Sequence, residues 1–265
     1  MTGIRGSGFG MWDTGVGTRG LGLGTRLARS LAVALLLGVT LHVPCLLAAE
    51  AQNVTFTARD GVQVSGVLHV PVKTPAPAVV LLPMLGRTHR DWDAAAARLA
   101  EAGFAVLAID FRQAAPADPD AADAARNAYA AFVLDAEAAR AYLTARPEVS
   151  TSRIGMAGAS IGANVAVLAA ANDPAVRSLA LLSVSLDYRG LKLEQALKAF
   201  ASRPALLVAS SEDPFALRSA RQAVTMGDGA RELRVLSGAG HGTVMLAREP
   251  DLATALVDWF LRTLL

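Results

Sequence analysis

The sequence predicts an α/β fold: a doubly wound, mostly parallel sheet with an opening antiparallel hairpin and a minimal cap. Three observations predict it. Short apolar runs recur at residues 78–82, 104–109, 154–157, 178–183 and 205–209 without the polar alternation of a half-exposed strand, and such runs mark strands covered on both faces. Helix-forming stretches separate them, the pattern of crossover connections between parallel strands. One run ends in Gly158-Ala159-Ser160-Ile161-Gly162, so that a serine falls at a strand-to-helix turn.

Taken in order, residues 54–58 and 62–70 are β-rich and separated by Arg59-Asp60-Gly61, a turn signal, which makes them a hairpin. Pro75 and Pro77 interrupt the chain before the buried strand 78–82, which runs into Pro83-Met84-Leu85-Gly86-Arg87-Thr88-His89-Arg90-Asp91-Trp92. Residues 94–102 form a helix stopped by Gly103, and strand 104–109 closes at Asp110-Phe111-Arg112. Residues 113–123, rich in Ala, Pro and Asp, make a surface linker. A helix over 128–144 and Pro147 lead to the strand before Ser160, and the small-residue run 163–171 forms the helix after it. Strand 178–183 follows, then Leu186-Asp187-Tyr188-Arg189-Gly190 and a short helix over 193–200, the only segment available as a cap. Strands 205–209 and 232–236 end in Ser210-Ser211-Glu212-Asp213-Pro214 and Gly238-Ala239-Gly240-His241-Gly242, and an amphipathic helix over 251–264 closes the chain. No internal repeat is visible.

The first fifty residues have a different character. Glycine and arginine are frequent up to Arg29, residues 31–47 are almost continuously apolar, and Leu47-Ala48-Ala49 or Ala49-Glu50-Ala51 ends the run. This is the layout of a secretory signal peptide, with Met11 as an alternative start to Met1. Left uncleaved, the same run is about long enough to anchor the chain in a bilayer. Cys45 raises lipidation as a third reading, but His42-Val43-Pro44 lacks the small residue that lipidation needs. Residues 1–51 are therefore read as signal peptide or N-terminal anchor, residues 52–265 as one domain, and the domain as exported, periplasmic or secreted.

Removing the four arginines and two acids of residues 1–51 from 25 basic and 23 acidic residues leaves 21 of each. A neutral domain carries no electrostatic footprint for nucleic acid. Cys45, the single cysteine, lies in the leader, which excludes a thiol nucleophile and a disulfide from the domain. The remaining histidines lack the paired carboxylate spacing of a metal site, and Gly158 to Gly162 does not follow the phosphate-loop pattern. No cofactor is expected, and contact with membrane is expected only through the leader.

A serine on a sharp turn needs nearly bare backbone around it, which Gly158 and Gly162 supply. Its hydroxyl is a poor nucleophile without a base, and the base is oriented by an acid. When the serine comes first, the chain order is Ser, acid, His. His241, framed by Gly240 and Gly242 after the last strand, is the candidate base. Asp213, at the end of the preceding strand, is the candidate acid, with Glu212 and Asp187 as alternatives. The Ile161 N–H at the helix start is one oxyanion donor. The second comes from the loop after strand 78–82, where Pro83 has no N–H to give and Met84 or Leu85 remains. His89 is read as a rim residue with substrate contact as the alternative, Asp110 as a loop-capping carboxylate, and Arg87 and Arg90 as solvated with recognition of an anionic group as the alternative.

From about residue 54 to the end the chain resembles the α/β-hydrolase superfamily, and within it small, nearly lidless enzymes similar to dienelactone hydrolases and short bacterial esterases. The resemblance rests on the Gly158–Gly162 pentapeptide and on residues 82–92, 104–112, 183–190, 211–213 and 240–242. It implies the α/β-hydrolase fold, with Ser160 as nucleophile, Asp213 as acid and His241 as base. Two departures stand out. Pro83-Met84 replaces the His-Gly of many members, and Ser160 replaces the cysteine nucleophile of dienelactone hydrolases, so dienelactone chemistry itself is not implied. The expected activity is hydrolysis of a carboxylic ester on a small acyl substrate. The same constellation supports thioester or amide cleavage, and a non-catalytic envelope domain is the remaining class.

Overall fold

A computed structural model describes residues 50–113 and 122–265. The signal-peptide reading falls outside these residues except for Glu50 and Ala51, and most of the 113–123 linker falls outside them as well.

The chain opens with β1 (Glu50–Thr57) and β2 (Gln63–Val70), which pair antiparallel from Glu50↔Val70 to Thr57↔Gln63. The hairpin thus begins four residues before Val54. Its outer strand alternates side-chain exposure, as expected where one face packs and the other is wet. Then come β3 (Ala76–Leu82), a 3-10 turn (His89–Trp92), α1 (Asp93–Glu101) and β4 (Ala105–Ile109). α2 (Ala122–Thr144) starts six residues before 128. It leads to β5 (Val149–Ala159) and α3 (Ile161–Ala170). β6 (Val176–Leu182) precedes a small hairpin of β7 (Asp187–Tyr188) and β8 (Leu191–Lys192), then α4 (Glu194–Ala199). The chain ends with β9 (Ala205–Ser210), α5 (Pro214–Ala223), β10 (Arg231–Leu236), α6 (Val244–Arg248) and α7 (Asp251–Leu264).

Eight strands form one sheet in the order β1-β2-β4-β3-β5-β6-β9-β10. β2 pairs antiparallel with β4, and every pair from β4 to β10 is parallel. All residues of β3, β4 and β9 are buried, because helices cover both faces. One apolar core holds α2, α3 and the inner residues of α4 and α5, with Phe132, Leu143 and Phe200 among its large side chains. The other holds α1, Met245 and α7, with Trp92, Trp259 and Phe260. The carboxyl ends of β3, β5, β6, β9 and β10 consequently converge on one edge, the edge at which open α/β sheets bind ligands. Among the described residues no helix is long and apolar enough to cross a membrane.

Candidate active site

β5 delivers Ser160 to that edge. The serine sits at φ 53°, ψ −119°, left-handed backbone that a non-glycine residue adopts at a cost of about 1–3 kcal/mol. Its N–H is tied to Leu182 O at 2.8 Å and its carbonyl accepts from Ala163 N at 2.9 Å, so neighbouring β6 and the first turn of α3 both hold the strain in place. The two flanking glycines are needed for closeness. A Cβ on Gly158 would lie 2.1 Å from Gly162 O, and one on Gly162 would lie 2.5 Å from Pro83 O and 2.6 Å from Leu82 O. The strand end, the helix start and the loop after β3 are thus packed backbone to backbone.

That packing sets the donors. Ile161 is the first residue of α3, so its N–H has no acceptor within the helix. Beside it, Met84 O accepts from Arg87 N at 3.1 Å in a turn completed by Gly86, and among the described residues neither the Met84 nor the Leu85 N–H meets an acceptor. The loop is anchored at its root by Trp92 Nε1, which donates to Leu82 O at 3.2 Å.

The loop after β10 carries His241, and neighbouring strand ends fasten it. Ser210 Oγ accepts from Ala239 N at 3.0 Å and Gly240 N at 3.2 Å, and Ser183 Oγ accepts from Gly242 N at 2.9 Å. A Cβ on Gly242 would meet Met84 Sδ at 2.9 Å and Ala159 Cβ at 3.7 Å, so the histidine loop lies against both the residue before Ser160 and the loop after β3. Neither Ser183 nor Ser210 was flagged by the sequence. The available signal was a serine closing a buried apolar strand, where its hydroxyl can gather loop N–H groups.

His241 Nδ1 is hydrogen-bonded to Asp213 Oδ2. Asp213 is also the N-cap of α5, with Oδ1 accepting from Ala216 N at 3.0 Å. The capping and the histidine-pairing roles of this carboxylate are therefore both present, on different oxygens. The carboxylate is 14% exposed and the imidazole 45%, so the acid is sheltered and the ring opens to solvent. The alternatives lie elsewhere: Glu212 faces Arg248 at 3.3 Å on the surface, and Asp187 Oδ1 accepts from Gly190 N at 2.8 Å inside its own hairpin. Among the described residues no hydrogen bond joins Ser160 to His241, a contact that often tightens only once substrate is bound.

Around this centre, His89 is paired through N and Nδ1 with Asp110, whose Oδ1 accepts the His89 N–H at 2.7 Å. Arg87 pairs with Asp91 instead of standing free in solvent. Among the described residues no group of three or more His, Cys, Asp or Glu is arranged to hold a metal. A surface hollow of about 370 Å³ lined by Leu206, Glu232, Arg234 and Arg262 lies towards the amino ends of β9 and β10, away from these loops. Among the described residues, β7, β8 and α4, which follow β6 at this edge, are the segment available as a cap.

The model of the dienelactone hydrolase family matches residues 64–263. Among solved structures, a dienelactone hydrolase from Anabaena variabilis is similar with a TM-score of 0.68 at 21% identity, covering 82% of this chain and all of its own. An acetyl xylan esterase from Paenibacillus sp. R4 has a TM-score of 0.69 at 17% identity over 83% of this chain and 86% of its own. The esterase domain of a Rhodothermus marinus protein has a TM-score of 0.65 at 18% identity over 81% of this chain and all of its own. At these identities the likeness is one of fold. No curated protein matches the sequence.

Proposed function

The chain belongs to the dienelactone hydrolase family and is a hydrolase of the α/β-hydrolase fold; from that premise we propose that it is a serine esterase acting through Ser160, His241 and Asp213. The observation that carries the proposal is the division of labour at Asp213, where one oxygen is fixed by a helix N-terminus and the other by His241 Nδ1. A carboxylate held in that way sets the imidazole tautomer and leaves Nε2 as the proton acceptor.

In the proposed reaction His241 Nε2 takes the Ser160 proton as Oγ attacks an ester carbonyl. The Ile161 N–H and the Met84 or Leu85 N–H hold the oxyanion. Collapse expels the alcohol, which receives the proton from His241, and leaves an acyl-serine. Water, deprotonated by the same nitrogen, then releases the acid and restores Ser160. The exposed His241 ring and the short β7–α4 segment favour short or surface-borne acyl groups, and the esterases among the similar folds agree with an ester as the bond cleaved. The leader exports the domain, which meets its small acyl substrate outside the cytoplasm.

The test is turnover of nitrophenyl esters of increasing acyl length by the purified domain. The expected result is highest kcat/KM on acetate or butyrate, and a loss of about 10⁴-fold or more in Ser160→Ala. Activity that survives Ser160→Ala refutes the assignment.

A further inference from the structure

Thr243 stands at the N-cap of α6, where a threonine hydroxyl ordinarily accepts a hydrogen bond from its own helix. It makes no such bond. Its Oγ1 instead donates to Asp91 Oδ2 at 2.6 Å, across 152 residues of sequence, and lies 3.2 Å from Met84 Sδ. Asp91 in turn accepts from Arg87 Nε and Nη2, both at 2.8 Å. The Arg87 pair, helped by Thr243, holds the Asp91 carboxyl below its usual range, so it is ionised wherever a histidine base works.

The two ends of this chain of contacts lie on different loops. Arg87 and Asp91 belong to the segment after β3 that also carries Met84 and Leu85, whose N–H groups meet no acceptor among the described residues, and Thr243 follows His241 by two residues. Thr243 is only 4% exposed, so its hydroxyl must find a partner inside the protein, and the partner it has is charged. On its other side the histidine loop is pinned by the Gly242–Ser183 bond.

We infer that Arg87, Asp91 and Thr243 are positioning residues that lock the loop carrying His241 to the loop carrying the second oxyanion donor. The base and the donor then share one frame, and neither can drift while charge builds on the carbonyl oxygen. The inference rests on the serine-esterase reading and deepens it. Displacements of an ångström or less at such a site cost large factors in rate while leaving ground-state binding almost untouched.

The test compares Thr243→Val and Thr243→Ser in the full domain. Valine has the same shape without the hydroxyl, so kcat on a short-chain ester is expected to fall by about tenfold or more with KM within about twofold. Fluorophosphonate labelling of Ser160 should slow with kcat, and serine should restore most of the rate because it returns the hydroxyl. Wild-type kcat in Thr243→Val, a change confined to KM, or failure of serine to rescue overturns the inference. Should Thr243→Val not fold, Arg87→Gln at the exposed end carries the test: a smaller fall in kcat at unchanged KM is expected, and wild-type kcat overturns it. A wild-type protein that does not label at Ser160 refutes the underlying reading, and the inference falls with it. A wild type that labels beside an indifferent Thr243→Val refutes the inference alone.

Discussion

Asp213 uses Oδ1 on the first turn of α5 and Oδ2 on His241, and substitution can separate the two. Asparagine caps a helix about as well as aspartate but cannot hold the imidazole in the tautomer that leaves Nε2 free. Asp213→Asn is therefore expected to unfold within about 0.5 kcal/mol of wild type while kcat falls by roughly 10³–10⁴-fold. Asp213→Ala should add about 1 kcal/mol of destabilisation to the same loss of activity. Chemical denaturation and ester turnover on the two variants check this, and an Asp213→Asn enzyme with near-wild-type kcat contradicts it. At this scale the sequence was informative where one residue type has few reasons to occur: a serine between close glycines and a histidine between glycines after a strand. It was least informative for Ser183, Ser210 and Thr243, whose hydroxyls act through loop backbone and a distant carboxylate that no local spacing reveals.

Strands and long helices were legible because their patterns are strong. The continuous runs of β3, β4 and β9 could only be strands covered on both faces, and α7 carries an apolar stripe ending in Trp259, Phe260 and Leu264. α5 was missed for a physical reason. Its buried face is Ala216, Ser219, Ala220 and Ala223, small residues at helical spacing, while its largest apolar side chain, Phe215, faces solvent. Asp213 and Pro214 are a strong N-cap and first-turn pair, but Asp213 also pairs with His241, so the same two residues carry both a helix start and the candidate acid. The opening hairpin supplies a prediction of its own. His69 is half-buried in β2, opposite Val106 of β4, and burial pushes its imidazole below the ordinary 6.5, with Asp93 opposing and His89 reinforcing the shift. The folded state therefore binds this proton more weakly than the unfolded chain does. Stability falls as pH drops through the unfolded value and levels off below the folded one. Thermal melts between about pH 7.5 and about pH 5.5 should show a larger drop in Tm for wild type than for His69→Gln. Equal drops would remove His69 from the acid response.

For the whole molecule, topology assembles the site. The order β1-β2-β4-β3-β5-β6-β9-β10 sets β3 beside β5, and β6 between β5 and β9, so the loops bearing the oxyanion donors, Ser160, Asp213 and His241 all leave the sheet at one edge. The alternation of apolar runs and helices predicted a doubly wound sheet, but strand order depends on which crossovers each connection makes, and sequence patterning does not record that. The start of the domain is also a property of the whole chain. β1 uses Glu50 and Ala51 in its pairing with Val70 and His69, so cleavage after Leu47-Ala48-Ala49 keeps the strand whole. If the proposed leader is removed there, amino-terminal sequencing of the protein purified from its native host is expected to read from Glu50, and a retained leader would instead support an anchored domain.

The central claim is that this edge activates Ser160. Its most direct test is treatment of the folded domain with a fluorophosphonate probe, followed by peptide mass analysis, beside Ser160→Ala and His241→Ala. One adduct, on Ser160, absent from the first variant and strongly suppressed in the second, is the predicted result; a folded domain that takes up no probe, or takes it up at another residue, would contradict the claim.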